Sequence, residues 1–164
     1  VPQKAVLFTG TIRENMQYGN KEATDEEIWQ ALTTAQARDF VESLPEGLDS
    51  WVEQGGGNFS GGQKQRLAIA RALIKKADVF VFDDSFSALD FKTDANLRKA
   101  LKEDLTQGIL VIVAQRVSTV MDADTILVLD EGKVVGQGTH QELLATNETY
   151  QEIVASQLRE EDLA

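Results

Sequence analysis

Short, continuous apolar runs alternate with helical patterns in the second half of the chain, and this alternation limits the possible folds more than any other feature. Strand-like runs occupy residues 78–83, 109–114 and 124–130, and helical patterns cover residues 90–104 and 117–121 between them. Strands that are apolar at consecutive positions are typical of buried parallel sheets, whose strands are joined by helical crossovers. We therefore predict an α/β fold whose core is a mainly parallel sheet.

The first part of the chain has helical patterns instead. Thr24 and Glu27 form a capping-box pair that predicts the start of a helix. A longer helix, apolar on most sides, is predicted over about residues 60–76. We therefore predict a helical subdomain at residues 1–76 and part of an α/β core at residues 77–164.

Charge and composition exclude several classes of protein. The chain carries 27 acidic and 16 basic residues, which gives a net charge of −11. Proteins that bind the phosphate backbone need a basic face, so this balance argues against a nucleic-acid partner. The chain has no cysteine, which excludes disulfides and thiolate metal sites. Its longest apolar run, residues 109–114, is far shorter than the roughly 20 residues that span a bilayer, so any membrane association requires a partner or another part of the polypeptide.

Two adjacent carboxylates, Asp83 and Asp84, end the apolar run in VFVFDDSFSALD, residues 79–90. Charged groups at the end of an apolar strand are costly unless a cation meets them, so the pattern favours a metal ion there. The alternative is a strand end followed by a capped turn, with no ligand. The two carboxylates alone leave both interpretations open.

A glycine-rich loop precedes the long helix in FSGGQKQR, residues 59–66. Ser60 suits the N-cap, and Gly61 and Gly62 leave backbone N–H groups free at a helix N-terminus, where phosphate binds readily. The alternative is a flexible loop before a buried helix. The chain contains no GxxxxGK sequence followed by Ser or Thr, so a P-loop is excluded within it.

Taken together, these segments resemble the motifs of ABC-type ATPases in the order and spacing of that family. FSGGQKQR resembles the signature motif, VFVFDD the Walker B strand, and SALD at residues 87–90 the D-loop. VIVAQRVST at residues 111–119 resembles the switch loop, and VPQKAVLFTGTIRENMQYG resembles the Q-loop region of exporter-type members. The resemblance implies a helical subdomain joined to a truncated RecA-like P-loop NTPase core.

The resemblance also implies roles for four residues at the chain's own ATP site. Asp83 and Gln3 would bind Mg²⁺ on ATP, Asp84 takes the position of the catalytic base, and Gln115 takes that of the switch residue. The family usually has Glu at the position of Asp84 and His at the position of Gln115. Asp is one methylene shorter than Glu, and a Gln amide cannot become cationic. These two departures predict a degenerate site that hydrolyses ATP slowly or not at all.

Other residues would act in trans, because two nucleotide-binding domains of this family meet head to tail. Ser60, Gly61, Gly62 and Gln63 keep the usual signature pattern and would complete the ATP site of the partner domain. Asp90 would reach the partner's Walker A across the same interface. An intact signature beside a degenerate site resembles heterodimeric ABC multidrug exporters. That resemblance implies transmembrane domains as further partners and a location at the cytoplasmic face of the cell membrane.

The resemblance covers roughly the C-terminal two-thirds of such a domain, so the Walker A loop and the adenine-stacking segment are expected upstream. The chain alone is expected to bind ATP poorly and to have no meaningful ATPase activity. Two other functions stay open: a soluble ABC-type ATPase acting on nucleic acid or ribosomes, and an interaction module without nucleotide chemistry. The acidic charge argues against the first, and the intact signature and D-loop argue against the second.

Overall fold

The computed structural model describes residues 1–105 and 108–161, in which short strands are interspersed with helices. The α-helices are α1 (Ile12–Gln17), α2 (Asp25–Thr34), α3 (Arg38–Glu42), α4 (Gly61–Ile74), α5 (Phe91–Asp104), α6 (Val117–Val120), α7 (His140–Thr146) and α8 (Glu148–Glu161). The strands are β1 (Gly10–Thr11), β2 (Trp51–Val52), β3 (Val79–Asp83), β4 (Ile109–Val113), β5 (Ile126–Asp130) and β6 (Lys133–Gly138). The predicted α/β class is confirmed.

The chain divides into two compact units, residues 1–113 and residues 114–164. The first unit holds α1 to α5 and β1 to β4, and the second holds the remaining helices and strands. The boundary predicted between residues 76 and 77 therefore lies inside the first unit, between α4 and β3. It stays a prediction.

Helix α4 is the centre of the first unit. Its apolar residues Leu67, Ile69 and Ile74 are buried, and the helix packs against α1 and α2. Helix α2 begins with the predicted capping box, in which the side chain of Thr24 accepts from the Glu27 N–H. Burial of apolar surface, at about 25 cal/mol per Å², holds these helices together, because helices of this length are marginal alone.

Strands β3 and β4 form the parallel sheet of the first unit. Their register runs from Val79 opposite Ile109 to Asp83 opposite Val113. Phe80 and Phe82 are buried on one face of this sheet. On the other face Val79 and Val81 are each 49% exposed, because the described residues place little over that side. The apolar run VFVF predicts that β3 is buried on both faces, but in the described residues only the face of Phe80 and Phe82 is covered.

The other edge of β3 is joined by the first residue of the chain. The Val1 nitrogen donates to the Val81 carbonyl, and the Val1 carbonyl accepts from the Asp83 N–H at 2.9 Å. This pattern is that of a single parallel ladder step. It brings the start of the chain to the end of β3, where the carboxylates lie.

The second unit is built on an antiparallel hairpin. Strands β5 and β6 pair from Ile126 opposite Gly138 to Asp130 opposite Lys133. The two turn residues, Glu131 and Gly132, both have positive φ, at 45° and 75°. That conformation is typical of the type I′ turn, which matches the twist of paired strands. The two antiparallel strand pairs, β1–β2 and β5–β6, accompany the single parallel pair in the described residues.

Candidate nucleotide site

The two predicted carboxylates lie at the carboxyl end of β3. Asp83 is the last residue of the strand, and its side chain is exposed. Asp84 follows with φ of +46°, and its N–H donates to the Val113 carbonyl at 2.8 Å. Asp tolerates the left-handed region better than most residues, and such conformations are concentrated at functional sites. The bend turns Asp84 out of the ladder immediately after its last hydrogen bond.

Gln3 reaches this same strand end from the start of the chain. Its amide nitrogen donates to Asp84 Oδ2 at 2.9 Å, a contact between residues 81 positions apart. The structure therefore brings three of the predicted site residues together. Because the amide nitrogen faces Asp84, the amide oxygen of Gln3 remains as an acceptor.

The chemistry of this donor set fits magnesium. Asp83 offers one exposed carboxylate and Gln3 one amide oxygen, and Mg²⁺ prefers few carboxylates together with several waters. Across residues 1–105 and 108–161, no group of three or more His, Cys, Asp or Glu residues is placed to hold a metal. The site thus suits an ion that arrives with a phosphate ligand better than one caged by protein.

The signature residues form the N-terminus of α4. Ser60 is the N-cap: its hydroxyl accepts from the Gln63 N–H at 3.2 Å, and its own N–H donates to Gln63 Oε1 at 3.0 Å. Ser60 and Gly61 are exposed. A Cβ added to Gly62 would lie 3.2 Å from the Ala88 carbonyl oxygen, so the signature packs closely on the D-loop. Signature and D-loop therefore lie side by side.

Asp90 caps helix α5. Its carboxylate accepts from the Thr93 hydroxyl at 2.7 Å and from the Thr93 N–H at 3.0 Å. These hydrogen bonds, that of the Thr93 hydroxyl first, hold the pKa of Asp90 below its ordinary value of 3.8. Asp90 is exposed and stays ionised at neutral pH. Its local role is that of a helix cap, and contact with a partner stays a prediction.

Gln115 belongs to the second unit, near the start of α6, and it is exposed. The side chain of Gln157, on α8, binds the backbone of Gln115 and of Val117, two residues further along the chain. Gln157 Nε2 donates to the Gln115 carbonyl, and Gln157 Oε1 accepts from the Val117 N–H at 2.8 Å. This bidentate contact fixes the switch segment to α8 and leaves the Gln115 side chain exposed.

Three residues that support predicted site residues, two in the first unit and one in the second, were not predicted. Ser85 and Gln65 contact the backbone just before Gln3, at the carbonyls of Val1 and Pro2, and Gln157 holds the segment of Gln115. Nothing in their local sequence distinguishes these residues from ordinary loop or helix residues. Only their distant partners in the fold give them a role.

Comparison with known proteins gives the family. The sequence model described as "ABC transporter" matches residues 1–87, which is more than half of the chain. The chain belongs to the ABC transporter family. An uncharacterized ABC transporter ATP-binding protein of Mycobacterium tuberculosis (strain ATCC 25618 / H37Rv) is 48% identical over 160 residues, covering 96% of this chain and 27% of that protein. The mitochondrial iron-sulfur clusters transporter ATM1 of Candida glabrata is 46% identical over 156 residues, covering 93% of this chain and 22% of that protein.

A solved structure supports the same family at the level of the fold. The structure of a bacterial Atm1-family ABC exporter with ATP bound superimposes with a TM-score of 0.92 at 40% identity, covering 96% of this chain and 28% of that chain. This ABC transporter chain therefore has the fold of part of an exporter ATP-binding domain. It spans about a quarter of the length of each of these three proteins.

Proposed function

We propose that this chain is part of the ATP-binding domain of an ABC exporter, in which ATP binding and hydrolysis at a head-to-tail pair of such domains drive substrate export. The observation that carries this proposal is the meeting of Gln3, Asp83 and Asp84 at the end of β3. In a member of the ABC transporter family, that arrangement supports a site for Mg-ATP. The exporter assignment draws further support from the fold match with the Atm1-family exporter. A second support is a relative from Bacillus subtilis that is described as a probable multidrug resistance ABC transporter ATP-binding/permease protein. It is 45% identical over 152 residues, covering 93% of this chain and 26% of that protein.

At the chain's own site, Asp83 and the Gln3 amide oxygen would hold Mg²⁺, and Asp84 takes the place of the base. Bound Mg²⁺ supplies positive charge that neutralises the phosphates of ATP. Asp84 is poorly suited to general-base work, because its short side chain is turned by the left-handed backbone and accepts the Gln3 amide. At position 115, a Gln amide in place of the usual His can donate a hydrogen bond but cannot carry a proton between groups. Both features favour a degenerate site.

At the partner's site, the chain contributes its signature. The exposed N-terminus of α4 presents the backbone N–H groups of Gly61 and Gly62, together with the positive end of the helix dipole, to an anion. Ser60, Gln63 and Asp90 complete this surface, which supports a second ABC nucleotide-binding domain as the partner, with a heterodimer as the expected arrangement. The close packing of Gly62 on Ala88 makes signature and D-loop one surface for that partner.

An exposed aromatic patch near the Q-loop region supports docking to transmembrane domains. Phe8 and Tyr18 are 42% and 66% exposed, and their ring centroids lie 4.4 Å apart. The Arg71 guanidinium lies 5.1 Å from the Phe8 ring and donates to the Val6 carbonyl, which fixes the patch on α4. None of the helices in the part of the chain that the structure describes is long and apolar enough to cross a membrane. We propose that this docking holds the chain at the cytoplasmic face of the membrane.

The test uses the parent complex, with this chain inside its full-length protein and beside its natural partner. We expect Ser60→Arg to abolish steady-state ATPase activity, because the bulky cation blocks the partner's site. We expect Asp84→Asn to leave most of the activity, because hydrolysis occurs at the partner's site. Asp78→Asn is the matched control for the second variant, because it also replaces a carboxylate by an amide, at an exposed residue before the other end of β3.

Three outcomes distinguish the alternatives. Loss of activity in both Ser60→Arg and Asp84→Asn would make Asp84 a working base and would contradict the degenerate site. Full activity in Ser60→Arg would contradict the action of the signature in trans. Stimulation of the wild-type ATPase by nucleic acid or ribosomes, rather than by transported substrate, would replace the exporter by the soluble class.

A further inference from the structure

A fully buried hydroxyl lies directly beside the candidate site and has no part in the proposed chemistry. Ser85, the residue after Asp84, is 0% exposed, and its Oγ donates to the Val1 carbonyl at 2.8 Å. The same carbonyl accepts from the Asp83 N–H at 2.9 Å. Both acceptor positions of one carbonyl oxygen are thus occupied by neighbours of Asp84.

The bonds to Val1 act on the segment that carries Gln3. Val1 is two residues before Gln3, and its nitrogen is bound to the Val81 carbonyl. Gln65, 2% exposed on α4, places its amide nitrogen 3.4 Å from the Pro2 carbonyl oxygen. The backbone leading to Gln3 is therefore held from β3, from Ser85 and from α4, although the Gln3 side chain itself is exposed.

We propose that Ser85 is a positioning residue for Gln3: its buried hydroxyl fixes the Val1 carbonyl and thereby holds the Gln3 amide against Asp84 and toward Mg²⁺. A glutamine on a mobile backbone loses both backbone and rotamer freedom when it binds a metal, and a backbone that is already fixed removes the first of these costs. A buried hydroxyl is suited to the task because its partner cannot be replaced by water without a cavity. This inference rests on the roles proposed above for Gln3 and Asp83 in binding Mg-ATP.

The test measures how the affinity for nucleotide responds to Mg²⁺ in the parent complex. The partner's ATP site is changed so that it no longer binds nucleotide, and the titration then reports on this chain's own site. The probe is a fluorescent trinitrophenyl-ATP, titrated in excess Mg²⁺ and again in EDTA. We expect Ser85→Ala to weaken binding about three- to tenfold in Mg²⁺ and to leave the affinity in EDTA unchanged. Ser50→Ala is the matched control, because Ser50 is also buried and its hydroxyl has no hydrogen-bond partner within residues 1–105 and 108–161.

A double-mutant cycle separates positioning from a structural role. If Ser85 acts through Gln3, the variant Ser85→Ala/Gln3→Ala should bind the probe in Mg²⁺ no more weakly than Gln3→Ala alone. Additive losses would overturn the inference, as would an equal loss of affinity in Mg²⁺ and EDTA. A wild-type complex whose affinity ignores Mg²⁺ would contradict the proposed function itself and the inference with it. If the wild-type affinity responds to Mg²⁺ and Ser85→Ala has the same affinities as the wild type, the inference is contradicted but the proposed function is not.

Discussion

The signature end of α4 and the carboxylate end of β3 are built in different ways, although both belong to one compact unit. Ser60 and Gln63 cap each other within a single helical turn. The contact of Gln3 with Asp84 instead joins residues 81 positions apart and needs the β3 ladder and the Ser85 hydroxyl to form. A locally built site tolerates changes in the core, whereas a site built from distant segments depends on the packing beneath it.

The largest expected effect follows from removing the packing beneath the carboxylates. Phe82 is 0% exposed, and its ring centroid lies 5.4 Å from that of Phe86 and 6.4 Å from that of Phe80. We expect Phe82→Ala to lower the free energy of unfolding by about 3–5 kcal/mol, with a smaller loss in Phe82→Leu. Urea unfolding of the complete ATP-binding domain measures both.

The same variant tests the comparison between the two ends. Where Phe82→Ala remains folded, the affinity for trinitrophenyl-ATP should lose its response to Mg²⁺, because Asp84 and Gln3 lose their support. Activation of the partner's site through Ser60 should survive. A loss below about 1 kcal/mol in Phe82→Ala would show that Phe82 does not support the carboxylate end. Equal damage at both ends would show that the two ends are not built differently.

A smaller effect on stability is expected at the signature. There, one pair of variants distinguishes the contribution of the Ser60 N-cap to stability from its contribution to ATPase activity. Ser60→Ala should cost about 1 kcal/mol of stability through loss of the N-cap, whereas Ser60→Asp keeps a capping carboxylate and should cost little. The added negative charge should nevertheless repel the partner's phosphates, so Ser60→Asp should fold normally and lose ATPase activity in the parent complex. Thermal unfolding and steady-state ATPase activity measure the two properties; an active Ser60→Asp would indicate that the signature does not contact phosphate.

This contrast also explains what the sequence could predict. The caps formed by Thr24 and Ser60 follow from side chains that act within three residues, and their predicted helix starts are confirmed. The helix predicted at residues 90–104 is found as α5, and its cap, Asp90, also acts within three residues. The α/β class likewise follows from the alternation of apolar runs and helices. Local pattern and structure agree wherever the partner of a side chain lies in the same turn.

The supporting residues could not be predicted in this way. The roles of Ser85, Gln65 and Gln157 depend on backbone carbonyls 84, 63 and 42 positions away, and the sequence gives no register for such contacts. The left-handed backbone of Asp84 is equally hidden, since it results from the end of the β3–β4 ladder rather than from a glycine. The half-exposed Val79 and Val81 depend on what covers the sheet, which apolar pattern does not reveal.

The smallest expected effect concerns Asp90, which combines a local cap with a predicted interface. Hydrogen bonds from Thr93 lower the pKa of Asp90 below 3.8. The ionised carboxylate therefore stabilises the fold at pH values above the pKa that this carboxyl has in the unfolded chain. This stabilisation is lost as the pH falls through the lower pKa of the folded state, because protonation removes the charged acceptor. Asp90→Asn has a neutral acceptor at every pH. The difference in unfolding free energy between wild type and Asp90→Asn should therefore be constant from about pH 7 to pH 5 and shrink below about pH 4.

Urea unfolding of the complete ATP-binding domain across that pH range measures this difference. Asp78→Asn provides the control, since Asp78 is also exposed and precedes β3 rather than a helix. A difference that grows as the pH falls would contradict the cap as the source of the pKa shift. If the cap is confirmed while Asp90→Asn also slows ATP hydrolysis in the parent complex at pH 7, the charge acts beyond its own helix. Asp90 would then join the locally built signature end as a part of the surface that meets the partner.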